Sequence, residues 1–279
     1  MTPAATVTVA AGSTLASLQA RPPLDPVDNR ILLCHALGLS RVGLITQSQR
    51  TLSADEAARL SALLARRLAG EPIAYIVGQR EFFGLPFEVN DAVLIPRPDT
   101  ELLVELALER MPAQARLLDM GTGSGAVAVA LAHSRPDAAV TALDVSAAAL
   151  AVARRNASAN GVDVQFIDSD WFGALGAARF DLIVSNPPYI ASGDRHLSEG
   201  DLRFEPAGAL TDHADGLAAL RILVAGAPRH LAARGWLLME HGYDQAAAVR
   251  ALLAAAGYTE VQSWRDLAGI ERVSGARRH

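Results

Sequence analysis

The run Leu117-Leu118-Asp119-Met120-Gly121-Thr122-Gly123-Ser124-Gly125 constrains this chain more than any other segment. An apolar strand-like stretch ends in three glycines at alternate positions, and Ala126-Val127-Ala128-Val129 then opens a helical stretch. Glycines in that place let the main chain turn sharply and let a ligand approach it closely. A strand that feeds a helix in this way returns to a parallel neighbour through a crossover. The pattern repeats downstream. Strands are expected at 116–119, 139–144, 164–168, 181–185, 236–240 and 260–264, and helices at 124–134, 146–159, 217–233 and 244–256. The alternation predicts an α/β fold, a parallel sheet wrapped by helices. The tail 271–279 is expected to add a last strand before Arg277-Arg278-His279 frays.

Upstream the pattern changes. Residues 1–80 read as a small all-helical domain. Asp25-Pro26 supplies an N-cap followed by proline at the first helical position. Ser53-Ala54-Asp55-Glu56 is a capping box, and Leu60, Leu63, Leu64 and Leu68 continue it at helical spacing. Residues 81–98 read as a β-hairpin linker. Phe82 to Val89 and Ala92 to Ile95 are the expected strands, and Asn90-Asp91 the turn. Asp99 or Thr100 is then expected to cap a helix from Glu101 to about Met111, opening a second domain over 99–279.

The chain has 279 residues, enough for two unequal cores, and its 51% hydrophobic and 20% charged residues are a globular balance. No apolar run is long enough to span a bilayer. The apolar start, Met1 to Ala11, has no preceding basic residue and does not read as a secretory signal. The single cysteine, Cys34, cannot form an intramolecular disulfide or a multi-cysteine metal site, and Ile31-Leu32-Leu33-Cys34 reads as a buried apolar stretch. These features point to the cytoplasm. All 25 basic residues are arginine, and the net charge is −5. An acidic chain without a basic block is a poor clamp for a phosphate backbone, so direct nucleic-acid binding is not expected.

Three readings fit the glycine junction. With Ala126 after Gly125 it matches a relaxed dinucleotide fingerprint. It is also compatible with a tight turn that holds no ligand. The third reading is an S-adenosylmethionine cradle of Asp119, Gly121, Thr122, Gly123, Ser124 and Gly125. There Asp119 meets the ammonium group, and Asp144, at the end of the next strand, accepts both ribose hydroxyls.

A second motif narrows the choice. The buried strand Phe180 to Ser185 runs into Asn186-Pro187-Pro188-Tyr189. Ligands in open α/β sheets bind beyond the carboxyl ends of the strands, so this tetrapeptide belongs beside the glycine loop. The prolines stiffen the turn and carry no N–H. Asn186 offers a side-chain oxygen, and Tyr189 a ring for a flat group. Such acceptors suit methylation of a planar nitrogen, whose lone pair is delocalised and whose attack on a methyl group develops positive charge. Catalytic candidates are Asn186, Pro187 and Tyr189. Pro188 joins them as a substrate-binding residue.

With these motifs the chain resembles the HemK/PrmC family of release factor glutamine N5-methyltransferases. Further matching pieces are Ile95-Pro96-Arg97-Pro98-Asp99-Thr100-Glu101, Asp170-Trp171-Phe172, Arg203-Phe204-Glu205-Pro206 and Glu240-His241-Gly242. Ser124 stands where the family commonly has threonine, which keeps the hydroxyl. The resemblance implies a Rossmann-like class I methyltransferase sheet and S-adenosylmethionine as cofactor. It adds Asp170, Trp171 and Asn186 to the cofactor contacts. It implies that Asn186 to Tyr189 hold the glutamine of a Gly-Gly-Gln loop in class I peptide-chain release factors. The helical domain is then a protein-docking surface, and the enzyme is expected to be a monomer. Alternatives are a glutamine methyltransferase of a ribosomal protein, a nucleic-acid amino-methyltransferase, and a methyltransferase-like binding module without catalysis.

The long stretch from Tyr189 to Gly216 has little regular pattern and is expected to line the substrate groove. Arg203 and Glu205 fit either substrate positioning or a salt bridge that holds the loop. The seven histidines form no metal pattern, His241 reads as a strand-end turn residue, and no metal is expected.

Overall fold

The computed structural model describes residues 7–279. The first half of the Met1–Ala11 segment therefore lies outside the described residues. The chain divides into two units, Met1–Gly78 and Gln79–His279.

The first unit holds helices α1 (Leu15–Ala20), α2 (Pro26–Leu37), α3 (Arg41–Thr46), α4 (Ala54–Leu68) and α5 (Ile73–Val77). The caps form as the sequence dictates. Asp25 accepts a hydrogen bond from Val27 N at 2.8 Å, and Ser53 and Glu56 satisfy each other's main-chain N–H groups. Leu15, Leu32, Leu33, Leu44, Leu60 and Leu64 make the core. Cys34 is half-buried rather than fully enclosed, and burial raises its thiol pKa.

The second unit opens with a hairpin, β1 (Gln79–Phe82) and β2 (Leu85–Glu88). Its turn is Phe83-Gly84, not Asn90-Asp91, and Ala92 to Ile95 is not a strand. Both Phe83 and Gly84 have positive φ, 53° and 76°, which is the backbone of a two-residue hairpin turn. Glu101 fixes the turn by accepting from Phe83 N at 2.9 Å. Asn90 instead closes a local turn by accepting from Ala92 N at 3.0 Å.

Next come α6 (Glu101–Arg110), β3 (Arg116–Met120), α7 (Ala126–Ser134), β4 (Ala139–Asp144), α8 (Ala147–Ala159), β5 (Gln165–Asp168) and β6 (Phe180–Ser185). After a long loop follow the short α9 (Ala207–Leu210), then α10 (Ala218–His230), β7 (Leu231–Glu240), α11 (Ala246–Ala255), β8 (Thr259–Arg265) and β9 (Glu271–Arg277). A single turn of tighter helix, Pro98–Thr100, precedes α6, and neither Asp99 nor Thr100 caps it with a side chain. The expected helix 217–233 stops at His230, because β7 begins at Leu231, opposite Phe180. The tail forms β9 as expected.

The sheet order is β5-β4-β3-β6-β7-β9-β8. The five strands from β5 to β7 are parallel, and β9 and β8 are antiparallel additions. Chain order reverses at β3: β4 and β5 lie on one side, β6 and β7 on the other. That reversal opens a crevice at the carboxyl ends of β3 and β6. Alternation along the strands serves two layers. Leu117, Leu182 and Val184 pack with α6 and α7, while Leu118, Met120 and Ile183 pack with α10 and α11.

Candidate active site

The crevice holds a cavity of about 290 Å³, near the small end of small-molecule pockets. Its floor is the glycine junction. Gly121, Gly123 and Gly125 have φ of 72°, 55° and 82°, a region L side chains rarely adopt. Gly121 N and Thr122 N both donate to Leu143 O at 2.9 Å, which staples the loop to β4. At Gly125 a Cβ would lie 3.1 Å from Ala153 Cβ, so the third glycine sets how closely α8 packs. Around Gly123 nothing would touch a Cβ, and the open space is the cavity itself.

Two carboxylates face this floor. Asp119 ends β3 and is buried; Thr122 Oγ1 donates to its Oδ2 at 2.6 Å. Burial is the main cause that pushes its pKa up to about 7, against the pull of its hydrogen bonds, and Asp144 adds to the rise. Asp144 is half-buried at the end of β4. It accepts from Gly123 N and from Ser146 N, each at 2.9 Å. Every carboxylate oxygen has two acceptor directions, so both groups keep capacity toward the cavity. Trp171 is one wall, held at φ 49° by a turn in which Ser169 Oγ donates to Trp171 O at 2.8 Å. It also packs against the core beneath α10, so cavity wall and core residue are both true of it. Asp170 lines the rim and is exposed.

The tetrapeptide meets the floor where the sequence places it. β6 pairs with β3 up to Met120↔Ser185, so Asn186 emerges beside Gly121. Asn186 Nδ2 donates to Thr100 Oγ1 at 3.2 Å, and among the described residues its Oδ1 makes no hydrogen bond. Asn186 and Pro188 line the cavity; Pro187 is buried. Tyr189 OH donates to Glu240 Oε1 at 3.2 Å, and burial raises the phenol pKa well above its usual value.

The loop after Tyr189 is closed at its base. Ile190 N donates to Leu210 O at 3.0 Å and Ser192 N to Ala214 O at 2.9 Å. Gln245 Nε2 donates to both Tyr189 O and Gly216 O, at 2.9 and 3.1 Å. Glu205 resolves its two readings toward the structural one. Its buried carboxylate accepts from Ile95 N at 3.0 Å and pairs with Arg97, so it ties the loop to the segment that lines the cavity. Arg203 lies over the Phe204 ring, 5.0 Å from its centroid. His241 is fully buried between Gly242 O and Ser274 Oγ, and burial lowers its pKa. Among the described residues no group of three or more His, Cys, Asp or Glu is placed to hold a metal.

Sequence reasoning missed three polar residues. Asn156 on α8 is 1% exposed, and it accepts from Glu88 N while donating to Glu88 O and Ser124 O, so one side chain joins the hairpin to the glycine loop. Thr100 and Glu240 stand behind the tetrapeptide. Burial pushes the Glu240 pKa up to about 7. Thr100 and Glu240 lay inside quoted motifs, but only the fold brings them to Asn186 and Tyr189.

A glycine-floored crevice at the reversal point, a carboxylate at the end of each of the first two sheet strands and an Asn-Pro-Pro-Tyr turn beside them define an S-adenosylmethionine-dependent class I methyltransferase. The Methyltransferase small domain matches residues 98–205, and the PrmC N-terminal domain matches residues 11–78. The release factor glutamine methyltransferase of Burkholderia pseudomallei is 58% identical over 274 residues, 95% of this chain and 96% of its own. That of Bordetella pertussis is 55% identical over 264 residues, 94% of this chain and 98% of its own. This chain belongs to the release factor glutamine methyltransferase family. A solved methyltransferase from Pyrococcus furiosus shares the fold, with a TM-score of 0.54 at 22% identity over 78% of this chain and 98% of that one. The cavity fits the family's cofactor in kind: open floor at Gly123, buried acid at Asp119, half-buried acid at Asp144 and an aromatic wall at Trp171.

Proposed function

We propose that this chain methylates the side-chain N5 of the glutamine in the Gly-Gly-Gln loop of class I release factors, and that Asn186 to Tyr189 hold that amide. The observation that carries the reading is the polarity of Asn186. Its NH₂ is committed to Thr100, so its carbonyl oxygen is the group left to face a substrate in the cavity.

When bound, S-adenosylmethionine supplies the electrophilic methyl of its sulfonium. Asp119 would receive the ammonium, Asp144 the ribose hydroxyls and Trp171 the adenine, with Asp170 at the rim and Gly121 to Gly125 allowing close main-chain approach. Asn186 Oδ1 accepts one N–H of the glutamine amide, and a proline-turn carbonyl accepts the other. These two acceptors turn the nitrogen lone pair toward the methyl and stabilise the positive charge that grows as the bond forms. Tyr189 covers the amide plane. Its phenol keeps its proton, so it orients rather than abstracts. The proton leaves the alkylated amide late, once it has become acidic, and no strong base is required before attack.

The helical unit docks the release factor, the loop from Tyr189 to Gly216 lines the groove, and the enzyme acts as a cytoplasmic monomer. No helix among the described residues is long and apolar enough to cross a membrane. Radiolabelled S-adenosylmethionine with purified release factor, its Gln→Ala version, DNA and RNA tests the reading. Label on the intact factor alone supports it, and Asn186→Ala abolishes that label. Label on nucleic acid, or on the Gln→Ala factor, refutes it.

A further inference from the structure

Helix α2 is apolar on two faces. Asn29, Leu32, Leu33 and Ala36, spaced i, i+3, i+4 and i+7, are buried on the side that meets the core of the first unit. Val27, Ile31 and Cys34 recur at i, i+4 and i+7 on the opposite side, where a surface helix ordinarily carries polar residues. There they floor an open groove of about 500 Å³, bounded by the corner from Gly38 to Arg41 and by Val77 of α5. Val27 is 54% exposed, and Ile31, Cys34 and Val77 are half-buried, so this apolar surface stays in contact with solvent. Two cations border it, Arg30 on α2 and Arg41 at the start of α3, and both are exposed. Both lie near enough to Cys34 to oppose the rise that burial gives its thiol pKa. Among the described residues neither has a carboxylate partner, whereas Arg50 and Arg67 are paired with Glu56 and Asp28. From Asn29 to Ala54 the chain has no Asp or Glu, so the groove is locally positive on a chain of net charge −5.

We infer that this groove docks an acidic amphipathic helix of the protein substrate, separate from the loop that is methylated. Apolar side chains one turn apart fill the floor, and carboxylates on the flanks of the same helix pair with Arg30 and Arg41. The α2 wall has 12 residues, about 18 Å, against which three helical turns can lie. The inference rests on the proposed function, and that function creates the need for such a contact. A Gly-Gly-Gln loop brings two residues without side chains to the reaction site, so the loop itself offers little apolar area to hold a folded protein. A second contact on the same substrate raises the effective concentration of the loop at the site without any new contact to the amide. Nucleic acid is a poor occupant, because its phosphates would meet an apolar floor with only two cations beside it.

The groove carries its own reporter. Cys34 is the only thiol in the chain and lies in the floor, so its alkylation rate, read on the intact protein by mass spectrometry, measures what covers the groove. The expected result for the full chain is alkylation slowed about tenfold by purified release factor at about ten times its Kd. In the double variant Arg30→Glu, Arg41→Glu the same concentration of factor gives little protection. Both side chains are exposed and without carboxylate partners, so the reversal leaves the fold in place. Its KM for release factor rises on the order of tenfold, while kcat at saturating factor and cofactor affinity stay at wild-type values. Added salt weakens factor binding to wild type more than to the variant.

Alkylation unslowed by release factor overturns the inference, and so does a double variant with wild-type protection and KM. Equal slowing by DNA or RNA overturns it as well, as does a fall in kcat with KM unchanged. The two readings fail separately. A factor that protects Cys34 in wild type and is never methylated would overturn the proposed function and leave the docking groove. Methylation of a factor that leaves Cys34 unprotected would do the reverse.

Discussion

Replacing Asn156 by alanine removes three hydrogen bonds at once: from Glu88 N at 2.7 Å, to Glu88 O at 3.0 Å and to Ser124 O at 2.8 Å. All three partners are main-chain groups, and the side chain is 1% exposed. Each such bond contributes about 1 kcal/mol net, and each partner left buried and unpaired costs at least as much. The expected loss is about 3 kcal/mol. For a unit of this size, 1 kcal/mol lowers Tm by roughly 2–4 °C, so the transition falls by about 6–12 °C. Scanning calorimetry measures it, and the relevant transition is the one that S-adenosylmethionine raises. Ser124 belongs to the glycine loop, so cofactor affinity weakens as well. Asn156→Asp keeps the acceptor for Glu88 N but loses both donors, and its buried charge lacks a cationic partner. It is expected to destabilise at least as much as alanine. A Tm within about 2 °C of wild type in Asn156→Ala would show that hairpin and glycine loop hold their places without this link, and would refute the reasoning.

Other consequences are as direct. Asp119 has a pKa near 7 and must be ionised to pair with an ammonium group, so S-adenosylmethionine affinity rises with pH below about 7 and levels above it. Titration calorimetry in buffers of different ionisation enthalpy should detect proton release at pH 6.5, and Asp119→Asn should abolish it; affinity independent of pH would contradict the assignment. The same raised value means the cofactor-free fold binds more protons than the unfolded chain between the usual carboxylate range and about 7. Asp119 and Glu240 therefore both make stability fall as pH rises through that window, and Asp119→Asn or Glu240→Gln should flatten the fall in a thermal melt series. Gly125→Ala combines a φ of 82° with a Cβ only 3.1 Å from Ala153, so it should lose about 2 kcal/mol of stability along with cofactor binding; an unchanged melt would be the contrary result. Trp171→Ala removes the aromatic wall and should weaken cofactor binding roughly tenfold or more by titration, with little effect on the pH dependence that Asp119 sets.

Local rules carried the sequence reading where the chain obeys them. The capping box at Ser53 and Glu56, the proline at the start of α2 and the buried strands β3 and β6 are local patterns, and each forms as read. The glycine junction and the tetrapeptide were legible because their spacing fixes a turn and a register together. The hairpin failed because Asn90-Asp91 is a conventional turn signal, while Phe83-Gly84 hides a positive-φ aromatic that Glu101 must hold from eighteen residues away. Thr100 looked like a helix cap, since threonine before a helix usually is one. Here its hydroxyl oxygen accepts from Asn186, a partner 86 residues along the chain that no local window contains. Asn156 was silent for the same reason: a polar residue on an alanine-rich helix reads as solvent-facing until the hairpin is laid across it.

The closed base of the loop between Tyr189 and Gly216 makes that segment a replaceable cassette. Its ends are pinned by Gln245 and by the Ile190 and Ser192 main-chain bonds, and its far part is anchored by Glu205. Between Ser192 and Arg203 the chain runs along the surface, with few side chains committed to the core. Lengthening a loop whose ends are already fixed is inexpensive, about 0.6 kcal/mol for each doubling. Insertions or exchanges confined to that tip can vary over generations, or at an engineer's bench, while the glycine floor and the tetrapeptide stay as they are. With this loop lining the proposed substrate groove, selectivity for a protein target can drift separately from the chemistry it is joined to.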